Sequence, residues 1–368
     1  MRTKELATTE NNVGPVTMLT IPISTPSSAR INSECGNESK KLPDLSRTVR
    51  FDLVLNNPSF TDPVLIIHYG NYHDGDPTRL GFQTCIPVEQ TGNHYSFDLG
   101  ENLEMQYFSI RFTEKLAARK QRSYLFQYYH FEPGDNMRIA QHGLEGTAKG
   151  VKLSFMGKGA DKYLCQYDIE NNLLPIPVMA LHQKDSSTKQ ADVLSNTKMQ
   201  LAIIEKYTSL LSVDSYQLLK LDVICRAERE RIISFQEQLS LALTNKDQKA
   251  FAAISAGYHK QRETGPFMDI PANIKYKSRE YAWFMVVRSV CDYLDEYQHI
   301  NYMGVYYEIM KTEDADLRDR MIVAFFILYY RDFRSYYRPL ADHAATHIQN
   351  AECLEMFVFL QHRSYCKF

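Results

Sequence analysis

Four stretches of the 368-residue sequence hold residue types at spacings that could do chemistry. In Gly157-Lys158-Gly159 a lysine stands between two glycines, as in turns that wrap a phosphate. A nucleotide loop of that kind also needs a glycine five residues before the Gly-Lys pair and a hydroxyl residue after it. Lys152 and Gly159 occupy those places, so the triplet reads as a turn by which the chain leaves a sheet. Cys165 follows among tyrosines. Seven cysteines stand at 35, 85, 165, 225, 291, 353 and 366, with no C-x-x-C pair and no finger spacing. They read as packed, inert thiols, with Cys165 and Cys366 kept as the alternative carriers of residual redox chemistry. His343 and His347 in "DHAATH" share a helix face at a metal-ligand spacing, but Ala344 stands where a zinc peptidase carries its general-base glutamate. Finally, "HYGNYHDGDP" gathers His68, His73, Asp74 and Asp76, a set that could hold a divalent cation, although Asp-Gly-Asp-Pro is also ordinary turn chemistry.

No Gly-x-Ser-x-Gly elbow is present, and no cysteine has a local motif partner. No catalytic residue is assigned, no cofactor is implied, and the six His and Asp residues above are the metal candidates. A net charge of −2 provides no field for nucleic acid or an anionic membrane. No apolar run is long enough to cross a membrane as a helix. The basic "MRTK" and the weakly apolar Val16–Ser24 are separated by "ELATTENNVGP", which is not the order of a secretory signal.

The elements that would position these residues divide the chain. Residues 1–47, rich in Ser, Thr, Asn and Pro, read as a disordered or loosely attached tail. Between 48 and 170 the pattern alternates: Val49, Phe51, Leu53 and Leu55 in the first strand, Tyr95, Phe97 and Leu99 in another, Val151, Leu153 and Phe155 in the last. Strands at this spacing predict an antiparallel β-sandwich or barrel. Its exit, "ADKYLCQY", need not be helical. Residues 171–194 read as a linker, and 195–368 as an all-helical domain of six or seven helices. Met199, Ile203, Tyr207 and Leu210 form one stripe; Phe284, Val287, Cys291 and Leu294 a second; Leu317, Met321, Ala324 and Leu328 a third. "NKDQKAFAAISAG" is read as capped by Asn245 and ending near Gly257. "RAERERII" (226–233) reads as a solvated charged face. Tyr329, Tyr330, Phe333, Tyr336 and Tyr337 read as core, or as a surface for a protein partner or self-association. The fold class expected is α+β.

Two segments carry a resemblance. "YYHFEPGDNMRI", followed about fifteen residues later by "FMGKGADKYLCQYDIE", resembles the small β-domain of TlpA-like thiol:disulfide oxidoreductases of Bacteroidetes. "IIEKYTSLLSVDSYQLLKLDVI" and "IQNAECLEMFVFLQHR" are similar to that family's helical region. The resemblance spans about 48 to 368 and implies a periplasmic or cell-envelope setting; the absence of a clear signal leaves the cytoplasm as the alternative. Activity in that family lies in a C-terminal thioredoxin fold with Trp-Cys-x-x-Cys. The single tryptophan here, Trp283, has no cysteine pair after it, and the sequence ends at Phe368. The expectation is a non-catalytic accessory or interaction module, free-standing or a truncated gene product; a residual thiol-redox protein using Cys165 or Cys366 and a ligand- or metal-binding envelope domain are the other readings.

Overall fold

The computed structural model describes residues 47–68, 82–100, 103–116, 119–142, 152–172, 186–263, 270–332 and 337–365. The tail at 1–46, His73, Asp74, Asp76, Cys35, Cys366, Phe333 and Tyr336 lie outside them. The described chain is α+β: two sheets are followed by helices.

Among the described residues nine strands build the sheets: β1 (Arg50–Leu55), β2 (Phe60–His68), β3 (Phe82–Cys85), β4 (Glu89–Thr91), β5 (His94–Asp98), β6 (Gln106–Leu116), β7 (Arg119–Phe131), β8 (Asn136–His142) and β9 (Lys152–Lys158). One sheet has the order β4-β5-β1-β8-β9 and the other β3-β2-β6-β7. All pairings are antiparallel except β1 with β8, which runs parallel with Arg50 beside Asn136 and Leu55 beside Gln141. The period-2 alternation of β1 sends Phe51, Leu53 and Leu55 inward, where they meet Leu65, Ile67, Phe108, Ile110 and Phe112 of the other sheet in one core. The Phe51 and Phe108 rings approach to 4.7 Å across the sandwich, and Phe126 and Phe131 meet Phe108 edge-on. Each such pair contributes about 0.5–1.5 kcal/mol beyond the area it buries.

The chain leaves the sandwich through β9 directly into a helix, α1 (Ala160–Asn171), so the segment without a visible helical pattern is helical. The reason is that α1 buries Lys162 and Gln166 together with Tyr163, Cys165 and Ile169, which hides its apolar stripe. Among the described residues nine helices follow: α2 (Ser186–Lys206), α3 (Val213–Thr244), α4 (Gln248–Glu263), α5 (Ala272–Lys277), α6 (Arg279–Tyr297), α7 (Tyr302–Met310), α8 (Ala315–Tyr329), α9 (Tyr337–His347) and α10 (Ala351–Tyr365). Two of them, α5 and α7, are too short to show a period, which is why six or seven were expected. α2 starts inside the segment read as linker. It ends before Leu210, which is 57% exposed, so the first expected stripe stops at Tyr207. Asn245 ends α3; the cap of α4 is Asp247, whose carboxylate accepts from Ala250 N at 2.9 Å, and the helix continues through Gly257 to Glu263.

α6 is the central helix. Its expected stripe of Phe284, Val287, Cys291 and Leu294 packs into a core with α3 and α4, while Val286, Val290 and Tyr293 on another side join the core of α7 to α10. α8 is buried nearly all round, through Met321, Ile322, Val323, Ala324, Phe325 and Phe326.

Candidate functional site

The residues with the richest chemistry lie where the four-stranded sheet meets the helices. Along β6, Phe108 and Ile110 face the sandwich core, so Tyr107 and Ser109 face the other way, and the helices cover them. β7 carries a bulge opposite Ser109, where Phe108 pairs with Tyr129 and Ile110 with Phe126. Tyr128 at that bulge has φ 58°, a conformation that costs a non-glycine residue of order 1–3 kcal/mol. The bulge turns its ring toward the helices. There the Arg279 guanidinium lies 4.5 Å from the ring centroid, the His68 ring lies 4.6 Å away, and Tyr128 N donates to Ser109 Oγ at 3.0 Å.

Around Arg279 the helices supply the charge. The Tyr107 hydroxyl donates to Asp222 Oδ2 at 2.5 Å and Ser278 Oγ donates to Asp222 Oδ1 at 2.6 Å. Burial pushes the Tyr107 phenol well up and the neighbouring Asp222 carboxylate adds to it; Asp222 itself is raised by burial, against the pull of Arg279. Glu280, 3% exposed, takes Arg229 at 2.5 Å and Arg226 and Arg279 at 3.3 Å. The "RAERERII" run is therefore only partly a solvated face, because Arg226 and Arg229 reach a buried carboxylate on α6.

A second polar cluster ties the sandwich to α1 and α3. Asp135, in the turn between β7 and β8, accepts from Lys162 Nζ at 2.6 Å and from the Tyr163 hydroxyl at 2.7 Å, and Lys162 also reaches Glu132 at 3.0 Å. Lys162 is 3% exposed. Glu132 accepts from the Ser212 hydroxyl, the N-cap of α3. Burial alone would raise Glu132; Lys162 and the bond from Ser212 outweigh it and hold the carboxyl down. His130 N donates to Gln166 Oε1 at 3.0 Å, and its ring Nε2 lies 2.9 Å from Ser215 Oγ. Burial, then the Lys162 charge, pulls the His130 imidazole down to about 3.

This cluster explains the glycine triplet. Gly159 has φ 95°, and a Cβ there would meet Asp135 Oδ1 at 2.4 Å; Gly157 has φ 106°, and a Cβ would meet the Asn136 carbonyl at 2.3 Å. The turn brings β9 and α1 against the Asp135 loop. Lys162, rather than Lys158, is the lysine that does something.

No family model matches the sequence, and no curated protein matches it. In the structure "EPGD" and "GKGADKY" are the two halves of the Asp135–Lys162 lock.

Two pairs have a hydroxyl against an imidazole, the arrangement that activates a nucleophile: Ser215 with His130, and Ser109 with His68 at 2.8 Å. Ser215, Ser109 and His130 have no exposed surface, so a substrate cannot reach them. His68 faces the sheet–helix junction. The His343 and His347 rings stack at 4.0 Å; His343 Nδ1 lies 2.8 Å from the Tyr306 hydroxyl, and His347 Nδ1–H donates to the His343 carbonyl. Among the described residues no group of three or more His, Cys, Asp or Glu gathers as a metal site. Cys165 is fully buried, and burial, with Asp168, pushes its thiol to about 12; Cys291 is raised to about 12 mainly by burial, and Cys225 well up by the same cause. Of the tyrosine run, Tyr337 is buried and Tyr329 partly buried against Tyr302 and Phe325. Among the described residues no helix is long and apolar enough to cross a membrane.

Lys162, Asp135, Glu132, Asp222, Arg279 and Glu280 were not legible as a group. One signal was available: Asp222 interrupts an otherwise apolar stripe of Leu218, Leu219, Leu221 and Cys225. A lone carboxylate in such a stripe requires a buried partner.

Proposed function

We propose that the chain is a non-catalytic accessory module that holds a β-sandwich and a helical domain in one fixed relation and presents them to a protein partner or a second copy. The observation that carries this reading is the fate of the groups that could do chemistry. At the sheet–helix junction the Tyr107 hydroxyl bonds to Asp222 and Lys162 to Asp135 across the two halves, Ser278 braces Asp222 from within the helices, and of the described thiols Cys165, Cys225, Cys291 and Cys353 are buried and Cys85 half-buried. A buried network of this kind rigidifies and specifies one arrangement. The resemblance to TlpA-like proteins supports the same reading, with a cell-envelope setting and a role beside a thioredoxin domain. Tyr297 and Tyr307, 43% and 46% exposed, are the helical-domain tyrosines offered for contact.

The test is an insulin-reduction assay with dithiothreitol, paired with light scattering at rising protein concentration. No turnover above the dithiothreitol background, together with a concentration-dependent mass or a captured partner of defined stoichiometry, is expected. Robust turnover by the purified chain would overturn the proposal in favour of thiol chemistry.

A further inference from the structure

A pocket opens between α3, α4 and α6. Its floor is apolar: Ile232 and Phe235 of α3 and Phe284 of α6. Its rim carries one arginine from each of the three helices, Arg231, Arg262 and Arg288. Ion pairs leave much of these forks unused. Arg231 meets Glu228 at 3.1 Å through Nη2, while its Nε is buried without a hydrogen-bond partner. Arg262 reaches Asp292 at 3.2 Å through Nη1, and Arg288 lies 3.8 Å from the same carboxylate, too far for a hydrogen bond. The Asp292 carboxylate is further occupied by the Tyr258 hydroxyl at 2.6 Å.

Three guanidinium groups thus share two carboxylates, Glu228 and Asp292, around a cavity of about 40 Å³, room for roughly three waters. That size suits one planar or tetrahedral oxyanion. Guanidinium forks match carboxylate and phosphate oxygens in geometry as well as in charge. We propose that this pocket binds a small oxyanion, a carboxylate or a phosphate group, held by Arg231, Arg262 and Arg288. The apolar floor accepts a short hydrocarbon stem behind a carboxylate. Glu228 stands on the same rim and opposes the anion, its own charge paired with Arg231.

The experiment is isothermal titration calorimetry on the full chain in chloride buffer, with inorganic phosphate in one arm and propionate in the other. Saturable heat with one site per chain is expected in at least one arm, and the arm that responds identifies the oxyanion. Arg288→Gln is expected to weaken binding at least tenfold. Arg262→Gln, at a more exposed position, repeats the test should Arg288→Gln fail to fold as judged by circular dichroism. Absence of saturable heat in both arms, or equal affinity in wild type and a folded arginine variant, would overturn the proposal.

Discussion

Replacing Lys162 by methionine tests the lock between the sandwich and the helices most directly. The methionine keeps the length of the side chain and removes only the ammonium, so packing around Tyr163 and Cys165 is little changed. Removing one partner of a buried ion pair costs about 3–5 kcal/mol, because the other charge is left uncompensated. Asp135 retains two donors, the Tyr163 hydroxyl at 2.7 Å and Glu132 N at 2.9 Å, which places the expected loss near the lower bound, about 3 kcal/mol. Urea unfolding followed by far-UV circular dichroism gives the number. The double variant Lys162→Met/Asp135→Asn removes both charges. It should be more stable than the sum of the single losses predicts by at least about 1 kcal/mol, since contacting residues couple by about 0.5–3 kcal/mol. A single-variant loss below about 1 kcal/mol, or strict additivity in the cycle, would refute the lock.

Gly159→Ala should destabilise by about 1–3 kcal/mol, whereas Gly92→Ala, where a Cβ meets nothing within 4 Å, should show only the backbone strain of its own φ; equal losses would count against the Asp135 collision. Stability should fall on acidification below neutrality. His130 is neutral and buried when folded, with a value lowered to about 3 from 6.5, so between those values the unfolded chain takes up a proton that the native state refuses, at up to about 1.4 kcal/mol per pH unit. His130→Gln should flatten that slope between pH 6.5 and 4.5, and an unchanged slope would exclude His130 as its source. Glu132 acts in the same direction lower down: its depressed folded value gives stability that is complete above 4.5 and lost as pH falls through the folded value. In native maleimide labelling Cys85, half-buried, should react well before Cys165, Cys225, Cys291 and Cys353, as mapped by peptide mass spectrometry; early modification of Cys165 would contradict its burial.

The sandwich and the long helices were legible because their inward residues keep a clean period: Phe51, Leu53 and Leu55 in β1, and Phe284, Val287, Cys291 and Leu294 in α6. The register partners were not. Period-2 alternation is the same for parallel and antiparallel neighbours, so nothing in β1 announces β8. α1 was hidden because two of its buried positions are Lys162 and Gln166, whose burial depends on Asp135 and His130 far away in sequence. The surroundings of the candidate histidines were hidden for a related reason. Spacing places His343 and His347 on one face, but only the tertiary fold shows that the His343 ring meets Tyr306, while His347 donates within its own helix to the His343 carbonyl.

The parallel pairing of β1 with β8 also bears on how the protein is made. β1 is the middle strand of its sheet, yet the neighbour on one side is synthesised long after it, Arg50 meeting Asn136. At about 5–20 residues per second, a ribosome needs roughly 4–17 s to bridge that interval. Until β8 is made, the edge of β1 that it will cover stays open, and the aromatic core around Phe51 has only part of its walls. Lys162 comes later still. The nascent chain therefore passes through a stage in which the central strand of this sheet is ready and one of its partners does not yet exist, a stage that leaves it open to mispairing with its neighbours.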